Sequence, residues 1–309
     1  MSSPVVLEEQ GAANSIGREP LIPGEASYRS KRFEFLYFAL RSKKLIFGVS
    51  ILFLFSLAAL FGPLFVKHAP LAYGVAFQRP STEYWFGTNY FGQDVFSQFI
   101  YGLRESLEVG LLGGGLAFVV GSVIGFVMGY RGGLVDETLN VVTNVLLTIP
   151  SLVLLILVGG FLKQTSVLFE GVFIGLTNWT WAARAIRAQT FSLVNRDFVD
   201  LARLSGEKPR RILFREIAPN MSSYLFLVFI LLFGGSILTA TSFDFLGFGP
   251  TNGMSLGIMM NQASSWNALP LHLWWWFVPP GAAITLIVGS LYVANAGLDE
   301  VFNPKLRAL

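Results

Sequence analysis

Six apolar stretches, separated by polar connections of unequal length, lay out this chain. The first covers residues 45–66, which can cross roughly 30 Å of hydrocarbon at about 1.5 Å per residue. Lys43 and Lys44 stand just before it. The second covers 107–130 and the third 141–162, where Pro150 predicts a kink. The fourth is 167–185, the fifth 221–242 and the sixth 277–296. The pattern predicts an all-α integral membrane protein with six transmembrane helices.

The connections carry their own signals. Residues 1–44 form a polar tail, mobile as far as residue 26. Its 31–40 stretch, KRFEFLYFAL, reads either as an interfacial helix or as a plain linker. The tail is too long for the n-region of a signal peptide. Residues 67–106 are the largest connection, and from Asp94 they turn helical. Val95, Phe99, Leu103 and Leu107 recur every four residues, and Asp94 suits the positive end of a helix dipole. In the second span Gly121, Gly125 and Gly129 share one face, which predicts close helix packing. Trp179 and Trp181 at one span end, and Trp274, Trp275 and Trp276 at another, suit interfacial belts.

Composition agrees with this reading. Hydrophobic residues make up 53% of the chain and charged residues only 13%, against about 25% in an average soluble domain. There is no cysteine, which excludes disulfides, thiolate metal sites and thiol catalysis. His68 and His272 are far apart and make poor evidence for a metal or a proton relay. The net charge of +3 does not point to nucleic acid, because the basic residues fall next to apolar spans. With the N-terminus inside, 18 of the 22 lysines and arginines fall on the inner side. The other four are Lys67, Arg79, Arg104 and Lys163. Both termini and the 186–220 loop are therefore expected in the cytoplasm. The plan becomes a tail (1–44), a first helix (45–66), an extracytoplasmic connection (67–106), a five-helix core (107–297) and a second tail (298–309).

Some chemistry is missing. No G-x-x-x-x-G-K-[ST] loop is present to cradle ATP. No acidic or basic string lies in the middle of a span, as coupled carriers usually need. The candidate pathway groups are Asn144, Thr148 and Ser151 beside Pro150, with Ser236 and Thr239 in the fifth span. Near the kink, such polar residues either face a pore or bridge neighbouring helices.

A pathway without an energy source directs attention to residues 197–220, DFVDLARLSGEKPRRILFREIAPN. Phe198, Leu201, Ala202 and Ser205 are predicted on one side of a helix that Gly206 interrupts. Pro209 suits the first turn of a second helix, where a missing N–H costs nothing. Pro219 closes the segment. Two readings stand: a rigid knob that transmits force, or a basic loop that only sets topology.

Here the residues resemble the E-A-A-x-x-x-G motif of permease subunits in binding-protein-dependent ABC importers. Asp200 stands in the acidic position, Leu201 and Ala202 in the alanine positions, Gly206 in the glycine position, and Ala218 with Pro219 in the closing pair. FGTNYFGQDVFSQFIYGLRESLEVGL is similar to the FGTDxxGRDxxSxxxYGxRxSLxVG signature of C-type dipeptide and oligopeptide permeases, with Asn89 and Gln93 replacing the usual Asp and Arg. SFDFLGFG resembles that subfamily's SFLGLG, and PPGAAITLIVGSLYVANAGLDEVFNPKLR its last span and tail.

The resemblance implies a type I ABC importer permease fold with a cytoplasmic coupling helix. It implies no catalysis and no cofactor on this chain, with ATP and Mg used by partner subunits. The implied partners are a second homologous permease subunit, two ABC ATPase subunits, an extracytoplasmic solute-binding protein and membrane lipid. The implied cargo is short peptides, with short oligosaccharides, nickel or another small solute as alternatives. Asp200, Ala202 and Gly206 become the expected centre of ATPase coupling, with Pro219 closing it. Phe198 and Leu201 become docking contacts, and Arg203, Arg210 and Arg211 partners for the ATPase or for lipid phosphates. A stand-alone channel or carrier, and an intramembrane enzyme using Asp244 or Glu170, are the competing classes.

Overall fold

The computed structural model describes residues 39–162 and 164–302. The 31–40 stretch lies almost wholly outside the described residues, and so does most of the C-terminal tail. Helix α1 (Lys43–Phe61) begins at Ser42, whose Oγ accepts the Leu45 N–H, and ends in a 3₁₀ turn, Gly62–Phe65. Then come α2 (Val95–Arg131), α3 (Gly133–Leu147), α4 (Ser151–Phe161) and α5 (Val167–Val194). Two short helices follow, α6 (Asp197–Leu204) and α7 (Pro209–Ile212). The second continues through a π turn (Leu213–Ile217) into Ala218–Asn220. Helix α8 (Ser222–Phe243) runs into another π turn, Asp244–Phe248. Helices α9 (Leu256–Ser265) and α10 (Trp274–Phe302) complete the chain.

Among the described residues four helices are long and apolar enough to cross a membrane: α1, α2, α8 and α10, each counted with any turn that extends it. Helices α3 and α4 pass together as one broken span, bent by 68° at the Thr148–Pro150 break. The expected kink is thus a full break. Pro150 has φ −62° and ψ 121°, and its ring disfavours the helical region for the residue before it. Helix α5 occupies the place of the fourth expected span. At 28 residues it is long enough but less apolar, because it carries Glu170, Asn178, Arg184 and Arg187.

Several boundaries differ from those expected. The helix expected from Asp94 and the span expected from 107 are one unbroken helix of 37 residues, α2, which begins at Val95. Its first turns carry Ser97 and Gln98, polar side chains that are buried in a polar network. Asp94 caps it as expected, accepting the Phe96 N–H at 3.0 Å and the Ser97 hydroxyl at 2.7 Å. The 186–220 loop starts later, because α5 continues to Val194. The 298 boundary falls inside α10, where Glu300 pairs with Lys44. The 244–273 connection contains α9, started by Ser255, whose Oγ accepts the Ile258 N–H. Of the tryptophan triplet only Trp274 faces outward. Trp275 and Trp276 are core residues, and the Trp275 indole donates to the Thr88 carbonyl.

Small residues set the helix packing. A Cβ on Gly113, Gly121, Gly125 or Gly129 would lie within 3.1 Å of α5 atoms of Ile174, Ala182, Ile186 and Thr190 respectively. Each partner is 61 positions further along, so α2 and α5 run parallel in constant register. This is the expected glycine face, and it brings two backbones into direct contact. Gly110 and Gly114 of α2 meet Ile237 and Phe233 of α8, which runs the opposite way. Gly48 and Leu45 of α1 meet Ala294 and Gly297 of α10, again antiparallel.

Candidate functional site

Helices α6 and α7 make a compact elbow. Asp197 and Asp200 lie in the first turn of α6 and Arg203 in its last, each at the favourable end of the dipole. The helix stops at Gly206, whose φ of +73° is costly for other residues. The Gly206 N–H donates to the Arg203 carbonyl at 3.0 Å and the Glu207 N–H to the Ala202 carbonyl at 3.1 Å. This pair is a Schellman cap, which satisfies two of the last carbonyls and reverses the chain. Lys208 is extended and Pro209 opens α7, as the sequence predicts. Pro219 cannot donate to the ladder, and the π turn at Leu213–Ile217 shifts the hydrogen-bond register just ahead of it.

One face of the elbow is anchored. Val199, Ile212, Ile217 and Met221 are buried in one cluster with Ala117 and Phe126 of α2 and with Ala182, Ile186 and Val194 of α5. Phe198 and Ala202 pack against this cluster. The opposite face is open: Leu201 is 64% exposed and Leu204 is 85% exposed. The inward face is therefore Phe198, Val199 and Ala202. Leu201 and Ser205, expected on the same side as Phe198, point away. Val199, not singled out from the sequence, is the buried residue of α6. Of the basic residues, Arg203 pairs with Asp200 at 2.9 Å and Arg211 with Glu207 at 3.2 Å, whereas Arg210 is exposed.

The helices that lead into the elbow are tied to each other by charge. Arg187 of α5 makes a two-pronged bond to Asp136 of α3, at 2.5 and 2.6 Å. This fork geometry favours arginine. Arg184 donates to Asn144, so that candidate pathway residue bridges helices.

A family profile described as "Binding-protein-dependent transport system inner membrane component" matches residues 121–308, well over half of the chain. The chain belongs to this family. It is similar to the dipeptide transport system permease protein DppC of Alkalihalophilus pseudofirmus, with 31% identity over 272 residues, 87% of this chain and 88% of that protein. The oligopeptide transport system permease protein OppC of Mycobacterium tuberculosis is 31% identical over 265 residues, covering 84% of this chain and 89% of the relative. The DppC of Bacillus subtilis is 29% identical over 310 residues, covering 97% and 91%.

As a family member this chain is a multi-pass membrane permease subunit of an ABC importer. Membership implies an ATPase and a solute-binding protein as partners, with ATP hydrolysis in the former. The permease's two departures from the subfamily signature compensate each other. Asn89 and Gln93 are both buried, and the Asn89 amide donates to the Gln93 side-chain oxygen at 2.9 Å. A neutral amide pair thus stands where the resemblance led to an Asp and an Arg.

The expected pathway residues do not converge. Thr239 lies in an open groove of about 330 Å³ with Asn178, Trp181, Gly235 and Tyr292. Ser236, one residue from Gly235, is buried away from it. Thr148 bonds the Val145 carbonyl and Ser151 starts α4. The sequence reading missed a further feature: Glu105 of α2, Glu170 of α5 and Asp244 after α8 lie within electrostatic reach of one another. Glu170 is fully buried, and Asp244 accepts the Ser255 hydroxyl at 2.5 Å. Among the described residues neither Glu170 oxygen has a hydrogen-bond partner. Spacing could not show this cluster, because its members come from three distant helices.

Proposed function

We propose that this permease imports short peptides, and that the α6–α7 elbow carries the movement of a partner ATPase into the membrane helices. The observation that supports this most is the elbow's two-sidedness. One face shares a buried cluster with α2 and α5, while Leu201 and Leu204 stand out from the other. Fully burying a Val, Ile or Met side chain contributes about 1.5–3 kcal/mol. Four such anchors bind the elbow to α2 and α5 far more strongly than a flexible loop, so a push on Leu201 and Leu204 moves both helices.

In this reading α5 is the fourth of six spans, with Glu170 buried and Arg187 paired with Asp136 of α3. The alternation of directions is consistent with it, since α2 parallels α5 and α8 opposes α2. The elbow and both termini lie in the cytoplasm. Two ATPase subunits use ATP and Mg, a second homologous permease completes the pathway, and an extracytoplasmic solute-binding protein delivers cargo. Asp200 and Arg203, with Leu201, form the outward docking strip. Phe198 and Ala202 hold it against the membrane core, Gly206 sets its angle and Pro219 ends the segment. Arg211 braces Glu207 and Arg210 faces lipid. The groove beside Thr239 is this chain's half of the pathway. Peptides are favoured over other small solutes because the relatives above carry dipeptide and oligopeptide names.

The test is reconstitution. The tagged permease, purified with the subunits that accompany it and placed in liposomes, accumulates a labelled peptide only when ATP and the solute-binding protein are both supplied. Uptake by this chain alone, without ATP, would establish a channel instead.

A further inference from the structure

The strongest unassigned feature is a cavity of about 520 Å³ between the last four turns of α2 and the start of α7. Its size is ordinary for a small-molecule site. Phe118, Val123 and Phe126 wall it from α2, and Leu213 and Phe214 from the elbow. The walls are hydrocarbon, but Arg131 and Arg210 both line the cavity and both are exposed. Among the described residues neither arginine has an acidic partner, whereas Arg187, Arg203 and Arg211 do. Tyr130 adds a hydroxyl next to Arg131. An apolar slot with two unneutralised cations is complementary to a molecule with an apolar tail and an anionic head.

We propose that this cavity binds one anionic phospholipid of the cytoplasmic leaflet, its acyl chain between Phe126 and Phe214 and its phosphate on Arg131 and Arg210. The proposal rests on the cytoplasmic placement of the elbow. Basic pockets beside membrane helices on that face are suited to anionic head groups, and guanidinium is the preferred cation for phosphate. The site has a consequence for coupling. Arg131 ends the helix that the elbow moves, and Arg210 belongs to the elbow, so one phosphate bridges the two.

The test reads lipid retention directly. The permease in its assembled transporter is exchanged into mixed dioleoyl-phosphatidylcholine and dioleoyl-phosphatidylglycerol, and retained lipid is counted by native mass spectrometry. One phosphatidylglycerol is expected to remain. Each arginine near the surface contributes about a factor of five, so the Arg131→Gln/Arg210→Gln variant should need roughly 30-fold more phosphatidylglycerol for equal retention. Val123→Trp, which fills the slot and keeps both charges, should also lose the lipid. Arg196→Gln/Arg215→Gln, which removes the same charge from residues that do not line the cavity, should not.

Unchanged retention in the first variant, or an equal loss in the last, overturns the site. So does a cross-link from Val123→Cys to a second permease subunit with no phosphatidylglycerol retained, since the slot would then hold protein. The readout needs neither ATP nor peptide, so a failed transport assay leaves it standing. Labelling of Ser205→Cys from inside only, combined with lost retention, counts against the lipid site and not against the orientation.

Discussion

Gly206 offers the sharpest perturbation of the elbow. Nothing lies within 4 Å of a Cβ built there, so a substitution meets no steric obstacle and acts through the backbone alone. Its φ of +73° is the left-handed region, which costs alanine about 1–2 kcal/mol and asparagine less. Proline is different in kind. Its ring holds φ near −65° and removes the N–H that bonds the Arg203 carbonyl at 3.0 Å. The Glu207 bond to Ala202 depends on the same turn, so both bonds go. At about 0.5–1.5 kcal/mol each they represent roughly 1–3 kcal/mol, added to the forbidden backbone angle.

An eight-residue helix has little stability of its own. Its last turn should unwind in the proline variant, and Leu201 and Leu204 should lose their fixed direction. Membrane insertion should not change, because Gly206 is exposed. The assay is peptide-stimulated ATPase activity and ATP-driven uptake in the reconstituted transporter. Gly206→Asn should be nearly normal, Gly206→Ala mildly impaired, and Gly206→Pro should hydrolyse ATP without uptake. Normal uptake in the proline variant, or equal damage from alanine, would refute the reasoning.

Three further outcomes follow from the packing. Gly125→Val brings new atoms to within about 2.7 Å of the Ala183 carbonyl and should cost about 1–3 kcal/mol, seen as a lower melting temperature in detergent. Arg187→Ala leaves the half-buried Asp136 without its partner and should cost about 1–3 kcal/mol, while the swap Asp136→Arg/Arg187→Asp recovers part of the loss in the same assay. Asp244→Asn weakens the acceptor of the Ser255 hydroxyl and should destabilise by about 1–3 kcal/mol. Glu170→Gln keeps the size of a buried side chain whose oxygens have no hydrogen-bond partner among the described residues and should cost less than Asp244→Asn; a larger loss at Glu170 than at Asp244 would reverse this assignment.

The helices of this permease were largely visible in the sequence, because a membrane span needs a long apolar run and little else. The Asp94 cap, the glycine face of α2, the break at Pro150 and the Gly206–Pro209 elbow were each legible from residue type and spacing. What stayed hidden depended on pairing across the fold. Ser97 and Gln98 lie in the expected helix, but nothing in their spacing showed that Asp94 and Gln93 would bury them in a polar network. Arg184 and Arg187 read as the start of a loop until Asn144 and Asp136 met them. Periodicity placed Leu201 with Phe198, yet Val199 is the residue that the α2–α5 pair buries. The two helical faces differ by less than a turn, and only the partner decides between them.

The central claim is that the outward strip of the elbow touches an ATPase. Single cysteines can be placed in this cysteine-free chain at Leu204 on the outward face, at Val199 on the inward face and at Tyr73 in the 67–94 connection. Each variant, in membranes containing the whole transporter, is treated with a short bifunctional thiol cross-linker. An adduct with the ATPase subunit is expected from Leu204→Cys alone, with a yield that changes when ATP is added. No adduct from Leu204→Cys, or an equal one from Tyr73→Cys, would contradict the claim.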